Sequence, residues 1–346
     1  MQNEDKDRYA TFTIHSQLAA ENQSMIAQKR ETSMRMGLLF GILCCTSLLP
    51  AGSLAWWDEG HMQIAAVAYD RLTPAVREKV DALINLNPEY ASWIANAPPR
   101  KAAQYAFVRA AVWADDIKNR TLGYTNDEPT EPRAGRNIGY YDNVMHQYWH
   151  FKDIGFSIDG TPVEDAPPVN ALTQIKVLTA GLALSSGLPD NVRSYDLVWL
   201  LHLVGDVHQP LHATTRFSHD LPHGDQGGNK EMVVPATGET ISLHAYWDRL
   251  LGNYSTSEGA IQDALIDDHT KLPDPDPARA WNADPDEWLR ESEKLAEDVA
   301  YAEPVRSGLQ PYILDRQYET SARSIARQQA ALAGARLANL INEALK

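Results

Sequence analysis

The stretch that most constrains this chain is Leu200 to Ala213, LLHLVGDVHQPLHA, which sets His202, Asp206, His208 and His212 in an apolar run. His202 and Asp206 are four residues apart, so on a helix they share one face. The surrounding Leu197, Val198, Leu200, Leu201, Leu203 and Val204 point in nearly every direction, which predicts a buried helix. A carboxylate inside such a helix is costly unless it is paired or bound to a metal. Pro210 ends the helix, because it has no N–H and clashes with the preceding turn. His212 therefore leaves on a different trajectory and can serve a neighbouring metal. A hydrogen-bonded core pair would show the same H-x3-D spacing. The motif alone does not decide.

The chain has 346 residues, 44% of them hydrophobic, enough for one large domain or two small ones. Its first 55 residues read differently from the rest. Met1 to Ser33 is polar and without clear periodicity. MRMGLLFGILCCTSLLPAGSLA follows, with an apolar run from Gly37 to Leu49 and then Ser53-Leu54-Ala55. This reads as a secretory signal peptide over about 34–55, cleaved between Ala55 and Trp56, with Met34 or Met36 as alternative starts. The run is too short to span a membrane, so no membrane anchor is expected. The expected location is secreted or periplasmic.

Both cysteines, Cys44 and Cys45, fall inside this leader, so no disulfide supports residues 56–346. Bound metal can supply the missing stability. The leader's five Lys/Arg and five Asp/Glu cancel, leaving the whole −15 on residues 56–346. Such an acidic chain excludes a long, sequence-independent footprint on duplex DNA.

Apolar residues recur at helical spacing after WWDEGH, from Ile64 to Leu72, and Thr73-Pro74 reads as an N-cap followed by a proline at the first helical position. A third helix is expected over about 102–117, ending in WADDIK, and a periodic helix over 170–186. Glu231 to Leu243 reads as a short hairpin around Ala236-Thr237-Gly238. Helices are expected to about Ala302 from Asp284-Pro285, and from about Pro311 to the C-terminus. With no repeat and few strands, the chain reads as an all-α single domain.

Candidate metal ligands recur along it: His61, Asp115, His150, then His202, Asp206 and His212, then a second H-x3-D pair, His244 and Asp248. Histidine and carboxylate without cysteine suit zinc in a hydrolytic site. The number of candidates exceeds what one four-coordinate ion needs and argues for a cluster. His146, His208, His219, His223 and His269 are read as structural or solvated.

WWDEGH, WADD, WHFKD, LLHLVGDVHQPLH, GGN and HAYWD, in this order, resemble the zinc-dependent S1/P1 nuclease family, related to bacterial phospholipase C. The resemblance covers Trp56 to about Leu251 as motifs. It implies a mainly helical fold of the phospholipase C/P1 nuclease type and three zinc ions. Asp115, His150, His202 and Asp206 would hold one, and His212, His244 and Asp248 the second. His61, a bridging Asp206 and the main-chain amino and carbonyl groups of Trp56 would hold the third. The two oxygens of Asp206 suit a bridge, and His212, beyond the proline, suits a separate ion.

The resemblance also implies an orienting role for Asp115, phosphate contacts from Lys118 and Asn229, and a base pocket at Phe151 and Asp153. The expected activity is hydrolysis of single-stranded RNA and DNA to 5′-phosphorylated products, with 3′-nucleotidase activity, by a monomer. Stacking on Phe151 requires an unpaired base and tolerates all of them. A phospholipase C acting on choline lipids is the alternative enzyme, although Asp248 stands where the phospholipases have glutamate. A non-enzymatic, zinc-binding helical protein is the other. The segment from Thr214 to Gln226 is longer than in fungal members and is expected to border the site.

Overall fold

The computed structural model describes residues 56–119, 122–252 and 256–346. The proposed leader and its cleavage site lie outside these residues, except for Trp56 itself. Twelve α-helices are described. They are α1 (Asp58–Asp70), α2 (Pro74–Ile84), α3 (Tyr90–Ile94), α4 (Ala102–Ala110), α5 (Trp113–Asp116) and α6 (Ala171–Leu182), then α7 (Asp190–Asp206), α8 (Leu243–Asp248), α9 (Ser257–Ile261), α10 (Pro277–Ala280), α11 (Pro285–Leu295) and α12 (Arg316–Ala344). Among these residues the strands form only two small sheets. The mainly helical, single-domain expectation agrees with this, and residues 56–346 fall within one compact unit.

The core is closed by one close helix approach. The long α12 lies along α1, and α7 packs on α6, α1 and α2. A Cβ on Gly334 would sit 2.7 Å from Val67, so only glycine lets α12 come this near α1. Every residue of α7 from Ser194 to Asp206 is buried, as a helix apolar on all sides requires. Thr73 caps α2, its hydroxyl accepting from the Val76 amide, and Pro74 opens the helix as expected.

Several local features depart from the sequence expectation. The helix expected over 102–117 breaks into α4 and α5 around Ala111. Helix α7 stops at Asp206, a turn earlier than Pro210 demands, and Pro210–His212 forms a separate 3-10 turn. The hairpin is present as β3 (Met232–Val234) and β4 (Ile241–Ser242), but β5 (Tyr312–Ile313) joins it in parallel. The last helix consequently begins at Arg316, capped by the Asp315 side chain, rather than at Pro311.

A second sheet was not foreseen. Strand β1 (Ile154–Ser157) pairs in parallel with β2 (Thr214–Phe217), Ile154 opposite Thr214. The pairing begins upstream, where the Lys152 amide donates to the His212 carbonyl at 2.9 Å. Two expected ligands, His150 and His212, are 62 residues apart in sequence, and this ladder holds their segments side by side.

Candidate metal centre and nuclease site

The expected side-chain ligands gather in three buried groups whose atoms lie within 4.8 Å of one another: His61, His202 and Asp206; Asp115, His150 and His202; His212, His244 and Asp248. Helix α1 supplies His61, α5 supplies Asp115 and α7 supplies His202 with Asp206. The turn Gln147–His150 ends in His150, Pro210–His212 ends in His212, and α8 carries His244 with Asp248. Asp206 joins the first two groups. Its Oδ2 is 3.0 Å from His150 Nδ1 and 3.3 Å from His202 Nε2, while its Oδ1 is 3.3 Å from His61 Nε2.

Gly205 makes room for this arrangement. A Cβ there would lie 2.9 Å from His61 Nδ1, so a side chain would push the ring away from α7. His61 instead stacks on His202, with ring centroids 3.7 Å apart.

Three of the imidazoles have their tautomer set by a backbone carbonyl. Nδ1–H of His202 donates to Ala111 O at 2.7 Å, that of His212 to His150 O at 2.8 Å, and that of His244 to Gly227 O at 2.7 Å. Each leaves a lone pair on Nε2, as a metal ligand must. The break between α4 and α5 places the Ala111 carbonyl where His202 can use it. His212 Nε2 and His244 Nε2 then face each other at 3.1 Å, lone pair against lone pair. Two acceptors at that distance repel unless a cation lies between or beside them. Buried atoms of His61, Asp115 Oδ2, His150 Nε2 and Asp206 Oδ1 have no hydrogen-bond partner in the protein. Buried polar atoms are rarely left so, and the residues present fit metal ions.

Electrostatics agrees. Burial pulls the His61 and His244 imidazoles down to about 4, and those of His150 and His212 well below their usual range, so these rings are neutral. Burial pushes the Asp206 carboxyl up to about 8 and Asp248 well above the usual range. The protein's own charges do not compensate these carboxylates. For Asp115, burial pushes upward, but Lys118 and the imidazoles of His202 and His61 outweigh it and hold the group at about 2.

Lys118, one turn beyond Asp115, sets its Nζ 2.7 Å from Asp115 Oδ1 and is largely buried. Asn229 sits on the Gly-Gly-Asn turn, its amide donating to Gln226 O at 2.9 Å. Phe151 directly follows His150 and is half-buried. Asp153 is also half-buried; burial and then the charge of Asp225 push its carboxyl up to about 7. Trp56 is buried, with its indole N–H donating to Gly205 O at 3.1 Å, beside Asp206. The next amide, Trp57 N, donates to the Asp248 carbonyl. The N-terminal end of the described chain is thus fastened against both H-x3-D helices.

Residues 56–346 match the family model for S1/P1 nuclease. The chain belongs to the S1/P1 nuclease family. It is also 26% identical over 339 residues to Endonuclease 1 of Arabidopsis thaliana, an alignment covering 92% of this chain and 95% of that protein. Membership makes it a nuclease in a metal-dependent hydrolytic family, and the three buried groups are where metal can bind.

Two supporting residues escaped sequence reasoning. Gln209 donates from Nε2 to Asp248 Oδ1 at 2.8 Å, holding the carboxylate for the His212–His244 group. Its position between His208 and Pro210 gave no hint of a partner 39 residues away. Asp225 joins Tyr301, Thr215 and the Arg216 amide in a buried network close to Asp153, and only folding brings it there. His146 and His208 are buried with protein partners, while His219 and His223 lie on the surface against Asp159 and Glu164. None of the four belongs to a ligand group among the described residues.

Proposed function

We propose that this S1/P1 family member is an exported endonuclease that cleaves single-stranded RNA and DNA to 5′-phosphorylated products and removes phosphate from 3′-nucleotides. Three zinc ions are the proposed cofactor. One would lie among Asp115, His150, His202 and Asp206, and one among His212, His244 and Asp248. The third would lie at His61 and Asp206, completed by the amino and carbonyl groups of Trp56 once residue 55 is removed. The observation that carries the reading is the convergence of three ligand groups, two of them joined through His202 and Asp206, with a cation and an aromatic at their edge.

When bound, such ions lower the pKa of water and draw charge from the phosphate. The chain's own residues then do the rest. The carboxylate of Asp115 accepts a hydrogen bond from the attacking water and fixes its direction. Lys118, already at the cluster, offers a charge-assisted donor to the phosphate as negative charge builds. Asn229 offers a neutral donor from the opposite turn. Phe151 stacks an unpaired base, and Asp153, when ionised, accepts from its edge. The water oxygen joins phosphorus, the bond to the 3′-oxygen breaks, and the proton ends on that oxygen. The products are a 3′-hydroxyl and a 5′-phosphate.

The phospholipase reading is weaker because Phe151 and Asp153 suit a flat, hydrogen-bonding base better than a choline headgroup. No described helix is long and apolar enough to cross a membrane, and neither reading needs one. The test is release of 5′-mononucleotides from poly(A) and poly(U), set against hydrolysis of phosphatidylcholine by the same zinc-loaded protein. Mononucleotide release without lipid turnover supports the proposal. Lipid turnover alone, or zinc binding without either activity, overturns it.

A further inference from the structure

A cleft of about 740 Å³ lies beside the cluster and is used by none of the residues assigned above except Asp115. Its walls come from the start of α1, from α3, α4 and α5, and from the start of α9, and include Asp58, Glu89, Trp93, Tyr105 and Arg109. The volume falls within the range of small-molecule sites, about 300–1,000 Å³. Asp115 belongs both to this wall and to a candidate metal group, so the cleft abuts the proposed reacting centre. Phe151, Asp153 and Asn229 do not line it. They sit on the other segments, those carrying His150 and the Gly-Gly-Asn turn.

The chemistry of the walls is selective. Trp93 and Tyr105 are half-buried, and each offers an aromatic surface. Asp58, Glu89, Asp116 and Glu258 make the rim acidic. Nearby cations are paired with acids: one nitrogen of the Arg109 guanidinium meets both oxygens of Asp116, at 2.9 and 3.1 Å, Lys101 meets Glu258 at 3.1 Å, and Lys118 meets Asp115 at 2.7 Å. Such a rim repels a run of phosphates. It accepts hydrogen bonds from base amino groups and ribose hydroxyls, while the aromatic rings take a base face.

Resting on the nuclease reading, the geometry points to a second nucleoside subsite in this cleft, formed by Trp93 and Tyr105, which holds the nucleoside across the scissile phosphate from the base at Phe151. A dinucleoside monophosphate fills both subsites, whereas a 3′-mononucleotide fills only the one at Phe151.

The experiment compares kcat/KM for adenylyl-adenosine and for 3′-AMP in the zinc-loaded wild type, Trp93→Ala and Trp93→Phe. Loss of one stacked base is worth on the order of tenfold. Trp93→Ala is expected to lose about tenfold on adenylyl-adenosine, chiefly through KM, and to stay within about twofold on 3′-AMP. Trp93→Phe is expected to keep most of the dinucleotide activity. An unchanged ratio of the two substrates in Trp93→Ala overturns the subsite, and so does an equal fall on both in Trp93→Ala and Trp93→Phe. Wild type inert on both substrates would instead overturn the nuclease reading itself, which separates the two failures.

Discussion

His146 and His150 stand four residues apart at either end of one short turn, both buried and both beside carboxylates. His146 is fully satisfied. Its Nδ1 meets Asp127 Oδ2 at 2.7 Å and its Nε2 meets Asp142 Oδ2 at 3.1 Å, and its ring stacks on Trp149 at 3.9 Å, parallel within 1°. Tyr148 donates its hydroxyl to the same Asp127. His150, in contrast, faces Asp206 and His202 with a nitrogen left over.

Ionisation follows the same division. Burial pulls His146 down, but hydrogen bonds and charge from Asp127 and Asp142 outweigh it and raise the imidazole above its usual range. Burial pushes Asp127 up, but the bonds from His146 and Tyr148 leave it below the usual carboxylate range. In the first cluster the imidazole is itself the cation. In the second the imidazoles are neutral and burial pushes Asp206 up, so an ionised Asp206 has no full counter-charge among the imidazoles around it. What sets the second cluster apart is that several histidine and aspartate atoms converge there without protein partners, since histidine and aspartate are present in both places.

The largest expected effect comes from removing the proposed metal. Asp206→Asn should lower bound zinc by more than one equivalent and reduce turnover on single-stranded RNA by at least about a thousandfold, because one carboxylate faces two ligand groups. Metal analysis beside kinetics checks it; loss of a single zinc with activity retained would break the bridging assignment. Chelation should also lower the melting temperature of the wild type, as release of any ligand bound only by the native state must.

Next in size is the effect of the N-terminus. A free α-amino group has a pKa of about 7.7–8.0 and can give its lone pair to a metal, whereas an amide cannot. A protein that keeps Ala55 before Trp56 should bind less zinc and lose more than about tenfold in turnover. N-terminal sequencing with zinc stoichiometry on both forms reads this out. Three equivalents in the extended form would confine the cluster to side chains.

The self-contained cluster should respond in stability rather than in metal. His146→Gln leaves Asp127 and Asp142 without their cation, and breaking such a buried pair costs about 3–5 kcal/mol. Denaturant unfolding of the zinc-loaded variant should show that loss at pH 6, with zinc content unchanged at saturating metal. A proportional fall in bound zinc would mean that the two clusters are not separable.

The smallest effect is the pH dependence that His146 contributes. A group whose folded pKa is raised stabilises fully below its unfolded value, about 6.5, and loses that contribution as pH rises through the folded value. Wild-type stability should therefore decline on the alkaline side of about pH 6.5 more steeply than that of His146→Gln. Parallel pH profiles would show that His146 is not protonated in the native state.

Much of this centre was legible before folding. The apolar surroundings of His202 and Asp206, and the recurrence of H-x3-D at His244 and Asp248, depend only on spacing along a helix, which is a local property. Which histidines are candidate ligands does not follow from spacing alone; His150 is singled out by its WHFKD motif and the family resemblance, and His146 is read as structural. His146 lies in the same HQYWH stretch as His150, and no spacing rule separates the two. Their fates are decided by Asp127 and Asp142 on one side and by Asp206 on the other.

By itself the sequence determined the helical character of the chain, the buried run of α7, the cap at Thr73 and the hairpin at Met232–Ser242. Each follows from periodicity or from turn chemistry within a few residues. Tertiary structure alone decided the break at Ala111 that gives His202 its carbonyl, and the parallel pairing of β1 with β2 that aligns His150 with His212. It also decided the reach of Gln209 to Asp248 and the cleft between Trp93 and Asp115. These features join segments tens of residues apart. Their energy lies in contacts that exist only after the core has closed, so no short window of sequence can carry their signal.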